Sequence, residues 1–450
     1  MTGMVDVVAR YVAAFKALAG NGAGRAPAWL KEMREAAIAR FADQGFPTTR
    51  QEEWRFTSVA PIAEAPFTLA HPQAARAASP RDVDRLLPRG ARRRRLVFVD
   101  GRWAPALSAL DGLGAGVKAG GLAAACERDP EVVQRHLGRH AGLAGGAFAA
   151  LNTAFLSDGA FVHVTAGTVM EQPLHLLFLS TLGRGGEPTV SHPRTLVVVD
   201  RGASASVVET YGSLGDGVYW TNAVTELVLD DGARAEHSRV QRESRQAYHV
   251  ATTQSHQNRD SGLALHAIAL GAALARHDVG AVLAGAGGHL ILNGLYLLAG
   301  QQHADHHTVI DHAQHHCESH EYFNGVLDDR AHGVFNGRII VRPGAQRTDS
   351  KQTNNNLLLS EEARADSQPQ LEIYADDVKC THGATLGPID QTALFYLKSR
   401  GLGETEARAL LTYGFGTEIL GRMRAVEVRA QLDYLVRAWL ARSAERRQAA

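Results

Sequence analysis

From about Leu151 the chain is a succession of short apolar runs cut by Gly, Asp and Asn. The runs 161–165, 174–180, 195–199, 205–209, 224–229, 233–240, 263–270, 289–298, 333–341 and 371–374 are rich in β-branched residues, and each predicts a strand. Nothing helical separates them, so the middle of the chain reads as all-β; sandwich, barrel and β-helix all fit that count. Gly-punctuated strands in so long a series favour a solenoid whose coils stack on their neighbours, although no clean repeat motif marks the period.

The flanks have a different period. Val5, Val8, Val12, Phe15 and Leu18 recur at helical spacing, and Gly20-Asn21-Gly22 breaks the run. A second helix is predicted over 28–42, ending at Gly45 and Pro47, and a third over 119–143. Between them, Pro47–Thr57 is dense in polar groups around Trp54 and reads as a Thr-capped helix start. Arg92–Arg95 leads into the short apolar strand of Leu96–Asp100 and reads as a solvated edge. At the other end, Asp390 can cap a helix over 391–399 that stops at Gly401; 404–412 predicts another, and 417–441 a long amphipathic one. The domains expected are a helical (α/β) unit over 1–148, a β core over 149–389 and a helical unit over 390–450.

Composition narrows the classes. Lys+Arg and Asp+Glu both number 47, so no global field favours nucleic acid or an anionic membrane. Cys126, Cys317 and Cys380 are odd in number and far apart, which suits a reducing cytoplasm better than a disulfide framework. The most apolar stretch, 262–300, is interrupted by Arg276, His277, Asp278 and several Gly, so no membrane span is expected. No phosphate-binding Gly-Lys-Ser/Thr loop, nucleophile elbow or dinucleotide fingerprint occurs.

Two places carry candidate chemistry. Cys380 and His382 stand two apart, which in a strand puts thiol and imidazole on one face. Together they could hold a soft or borderline metal or pass sulfur, but two ligands do not close a metal site, and a buried Cys beside a strand-end His is the plain alternative. The second place is 303–320, where His303, His306, His307, His312, His315, His316 and His320 fall beside Asp305, Asp311 and Cys317. Their spacing matches no helical zinc motif, and His306 and His307 would face opposite sides of a strand. A hydrogen-bonded ladder of turn histidines is the expectation there. The competing reading is a metal-assisted β-helix hydrolase or lyase.

Longer stretches resemble a known family. Asp305–His312, Gly333–Arg342, Gln352–Ser360, Cys380–Thr385 and Leu394–Gly401 resemble, in order, the SufB/SufD family of iron–sulfur cluster assembly proteins. Glu53-Trp54 within Pro47–Thr57, the low cysteine count and Lys379-Cys380-Thr381-His382 resemble its SufD side; the likeness is weakest over 72–145. The resemblance implies a right-handed parallel β-helix between helical ends. It also implies a non-catalytic scaffold, with ATP hydrolysis in a SufC-like ABC ATPase docked on the C-terminal helices, and a SufB-like paralogue as second partner.

By the same resemblance His382 is the residue contributed to the SufB interface, where a nascent iron–sulfur cluster forms transiently. Cys380 matches a neighbouring family cysteine that could equally be structural. Imidazole and thiolate are known cluster ligands, and their binding is expected to weaken in acid. An ATP-driven movement of the C-terminal helices would open or close the site. A purely structural role in stabilising SufB, a homodimer of the isolated chain and the involvement of a flavin remain open at this point.

Overall fold

The computed structural model describes residues 2–20, 26–70, 78–141, 146–183 and 186–449. Its core is a parallel β-helix of two facing sheets, and from Ser204 onward successive strands fall alternately in one and the other. The first sheet runs from Gly159–Val164 through Arg194–Val199, Tyr219–Leu229, Tyr248–Gln257, Leu274–Leu283, His303–His312 and His332–Val341 to Arg364–Ile373. The second runs from Leu174–Ser180 through Ser204–Ser213, Arg234–Gln241, Gly262–Ala269, His289–Leu298, Glu318–Leu327 and Asp349–Leu358 to Lys379–Gly387. Register fixes the coil length: Tyr248 faces Leu274, 26 residues on, and His332 faces Arg364, 32 residues on.

Inward-facing residues stack in columns between the sheets. Leu176, Val207, Leu265, Leu292, Ile310, Phe323 and Ile339 belong to one continuous buried core. Early strands such as Leu174–Ser180 and Tyr219–Leu229 are buried on both faces, because helices cover their outer sides. N-terminal helices Thr2–Gly20, Ala28–Gln44 and Gly146–Ala154 cover the first sheet, where Phe41, Phe46 and Phe148 gather around fully buried Trp220. C-terminal helices Glu404–Leu420 and Val426–Ala449 cover the second, packing Ile419, Leu432 and Val436 on Val208, Ile268 and Leu295.

The predicted strands at 174–180 and 289–298 and the helix at 391–399 coincide with those observed. Four expectations are corrected. The 119–143 helix is a strand, Val117–Gly121, followed by two short helices, Leu122–Arg128 and Pro130–His136. The 404–412 helix extends to Leu420, and the one expected from 417 begins only at Val426, because the chain turns at Gly421-Arg422. Pro47–Thr57 has no Thr cap; it forms a single 3-10 turn, Glu52–Trp54. The 303–320 histidines are mostly strand residues rather than a turn ladder, since only His315 and His316 lie in the connecting turn. The expected Asn21-Gly22 break lies outside the described residues. Among the described residues, no helix is long and apolar enough to cross a membrane.

Buried charge ties the N-terminal layer to the sheet. Glu226 pairs with Arg194 and accepts the backbone N–H groups of Gly138, His140 and Ala141, while Arg194 also donates to Asn152 and Thr153. A second tie lies further along the stack. Arg276 lies 3.7 Å from the Trp54 ring centroid and donates to Asp305 (2.7 Å) and to the Glu53 carbonyl (2.6 Å). Thr57 donates to the same carboxylate. Burial alone would raise the Asp305 pKa, but Arg276 and His307 hold it far below the usual carboxylate range.

The lumen also holds an isolated carboxyl. Glu321 is buried, and its Oε2 accepts from Gln352 Nε2 at 2.6 Å. With no cation to offset it, burial pushes its pKa up to about 7.

Two outcomes follow from these buried groups. Glu226→Ala leaves Arg194 buried and unpaired and should cost about 3–5 kcal/mol, seen as a lowered thermal midpoint. For Glu321 the folded pKa lies above the unfolded one, so its stabilising contribution is complete below about 4.5 and is lost as pH rises through about 7. Glu321→Gln should therefore gain roughly 3 kcal/mol over wild type at pH about 8 and little at pH about 4, in paired denaturant titrations.

Candidate functional site

The two ends of the stack differ. At the first end, Val117–Gly121 runs antiparallel to Gly159–Val164, and Arg102–Trp103 runs antiparallel to Arg94–Val99, which itself pairs with Leu174–Ser180. Reversed strands thus close that end. At the other, Arg364–Ile373 pairs only with His332–Val341, and Lys379–Gly387 only with Asp349–Leu358. Among the described residues no strand lies beyond either. The far edge of this last coil exposes backbone groups, together with the apolar side chains of Tyr374 (60%) and Leu386 (58%).

Cys380 and His382 lie on this last coil. They share a face, as their spacing predicted, because both stand in the strand Lys379–Gly387. Their register partners are Ser350 and Gln352, which point into the lumen and are buried. Cys380 and His382 therefore continue two inward columns, but no further coil covers them: Cys380 is half-buried and His382 is exposed.

Behind Cys380 the column is hydrogen-bonded. Ser350 Oγ lies 2.7 Å from Ser319 Oγ, which lies 2.8 Å from His312 Nε2. Behind His382 stands Gln352, bonded in turn to Glu321. Cys380 packs against the core, and burial, then the nearby Asp349, raise its thiol pKa. It is therefore a protonated thiol at neutral pH rather than an activated thiolate. The His382 ring has no hydrogen-bond or ionic partner among the described residues, so both its nitrogens are available to an incoming group.

The strand is held from both ends. The Asp377 N–H donates to Gln346 Oε1 at 2.9 Å, and the Lys379 N–H to the Thr348 carbonyl at 2.8 Å. After Gly387 only three residues precede the helix Gln391–Ser399, whose N-cap Asp390 accepts from the Thr392 N–H. That helix buries Leu394 and exposes Phe395 (73%) and Tyr396 (56%).

The His-rich run does not assemble a second site. His306 faces the lumen, with its ring 5.0 Å from Tyr296, whereas His307 faces outward onto Asp305 at 3.0 Å. His312 is committed to Ser319, and Cys317 is buried beside the Gly285 carbonyl. Among the described residues, no group of three His, Cys, Asp or Glu converges to hold a metal ion. Sequence reasoning missed Glu321, Ser350 and Gln352. The signal that finds them is the coil length, since Gln352 follows Glu321 by 31 residues and His382 follows Gln352 by 30.

Known proteins share this arrangement of sequence. The family model described as SUF system FeS cluster assembly, SufBD core domain, matches residues 181–415, and that of the SufBD protein N-terminal region matches 6–176. An iron–sulfur cluster assembly SufBD family protein of Synechocystis is 32% identical over 90% of this chain and 90% of its own length. The iron–sulfur cluster assembly protein SufD of Escherichia coli is 32% identical over 86% of this chain and 88% of its own, and SufD of Bacillus subtilis 29% identical over 63% and 64%. With a parallel β-helix between helical ends, and with relatives of this kind matching along most of its length, the chain belongs to the SufBD family of the SUF iron–sulfur cluster assembly system, on its SufD side.

Proposed function

We propose that this chain is a non-catalytic scaffold subunit that binds a SufB-like paralogue at the open end of its β-helix and contributes His382 to the cluster built there. The observation that carries the reading is the uncapped last coil. It bears a row of unpaired backbone groups, exposed apolar side chains, and an unpartnered imidazole on an inward column. A second β-helix end would cover all three, and its ligands would complete a set that Cys380 and His382 only begin. The nascent iron–sulfur cluster is cargo, and His382 is the better ligand because Cys380 is held as a thiol by burial. A second copy of this chain could occupy the same edge when the paralogue is absent.

The C-terminal helices are the proposed seat of a SufC-like ATPase. Phe395 and Tyr396 offer it an apolar surface on the helix Gln391–Ser399. Only three residues separate that helix from the strand carrying Cys380 and His382, so a displacement driven by ATP in the partner would pass directly to the site.

Co-expression with SufB and SufC from the same source, followed by size exclusion and iron and sulfide analysis, tests this reading. His382→Ala should assemble the same complex with roughly tenfold less cluster. Equal cluster in both complexes would leave the chain as a structural partner without a site of its own.

A further inference from the structure

We propose that Gln352 is a positioning residue for His382: anchored to Glu321 through its amide nitrogen, it offers its amide oxygen to the His382 ring and so fixes which ring nitrogen carries the proton. This rests on the reading of His382 as a cluster ligand and adds the group that would prepare it.

Four observations carry it. Glu321, Gln352 and His382 are successive register partners, so their side chains stand on one face, one strand spacing of about 4.8 Å apart. Gln352 donates from Nε2 to Glu321 at 2.6 Å, which commits one arm of the amide to the preceding coil. Its Oε1 is buried and has no hydrogen-bond partner, and such an atom is costly to leave unmatched. His382, in the following coil, has both ring nitrogens unengaged among the described residues. The opposite sheet leaves room for the amide. Gly337 faces it, and a Cβ there would lie 2.2 Å from Gln352 Nε2.

The amide oxygen can only accept. A ring nitrogen that donates to it must be protonated, which leaves the other nitrogen as the bare lone pair a soft metal needs. Outer partners of this kind orient ligating imidazoles generally. Without Gln352 the exposed ring would sample both tautomers and several orientations, and part of the population could not ligate.

The test uses the full chain labelled with 15N-histidine, with His382 assigned by its disappearance in His382→Ala, at a pH where the imidazole is neutral. Wild type should show the widely separated ring shifts of one tautomer. Gln352→Met, which keeps the length and removes the acceptor, should move them to the mixture of a solvated histidine. The double variant Glu321→Gln/Gln352→Glu reverses donor and acceptor along the column and should restore the single tautomer. In the co-expressed complex, Gln352→Met should lower bound iron and sulfide roughly tenfold, and the double variant should recover them. A solvated mixture in wild type, or ring shifts identical in Gln352→Met, overturns the proposal. Full cluster in His382→Ala would overturn the ligand reading of His382, while the ring shifts of the isolated chain would still decide the role of Gln352.

Discussion

Each coil of a parallel stack satisfies its backbone groups on the next, so the stack cannot end without leaving a row of N–H and C=O groups unpaired on each sheet. The fold meets that constraint at one end only. Val117–Gly121 and Arg102–Trp103 reverse direction and close the start. At Arg364–Ile373 and Lys379–Gly387 no such device follows; the chain leaves for the C-terminal helices, which lie on the outer face of the second sheet rather than across its end. Repeat folds generally need a cap at each terminus for solubility, so an end without one is suited to another protein.

The interior serves the same end. A lumen of aliphatic side chains alone would stabilise the stack but could not communicate with an imidazole at its edge. Here columns of polar side chains run through the apolar core, Glu321 to Gln352 and His312 through Ser319 to Ser350, and each reaches the last coil beneath Cys380 or His382. Burying Glu321 without a cation is unfavourable at neutral pH, and the hydrogen bond from Gln352 offsets part of that cost.

Most of the strands legible in the sequence are apolar, although the polar Arg234–Gln241 is among them and Leu274–Leu283 is not. Leu174–Ser180 and His289–Leu298 are dense in Leu and stood out, whereas Tyr248–Gln257, Glu318–Leu327 and Asp349–Leu358 were not recognised. Their inward polar residues are buried by stacking on counterparts about 30 positions away, as Gln352 is on Glu321. Alternation within one strand cannot show this, because the partner belongs to another coil. The same distance hid the site: Cys380 and His382 were visible as a pair, but the residues beneath them became visible only through register. The long C-terminal helix was placed too early because its apolar stripe continues through the turn at Gly421-Arg422.

The central claim is that the open edge receives a partner, and backbone hydrogen exchange of the chain alone and in the co-expressed complex addresses it most directly. The alternate amides of Arg364–Ile373 and Lys379–Gly387 that point away from the neighbouring strand should exchange fast in isolated monomer and become protected in the complex, while Gly159–Val164 at the closed end stays unchanged. Equal exchange of the last coil in both states would contradict the account.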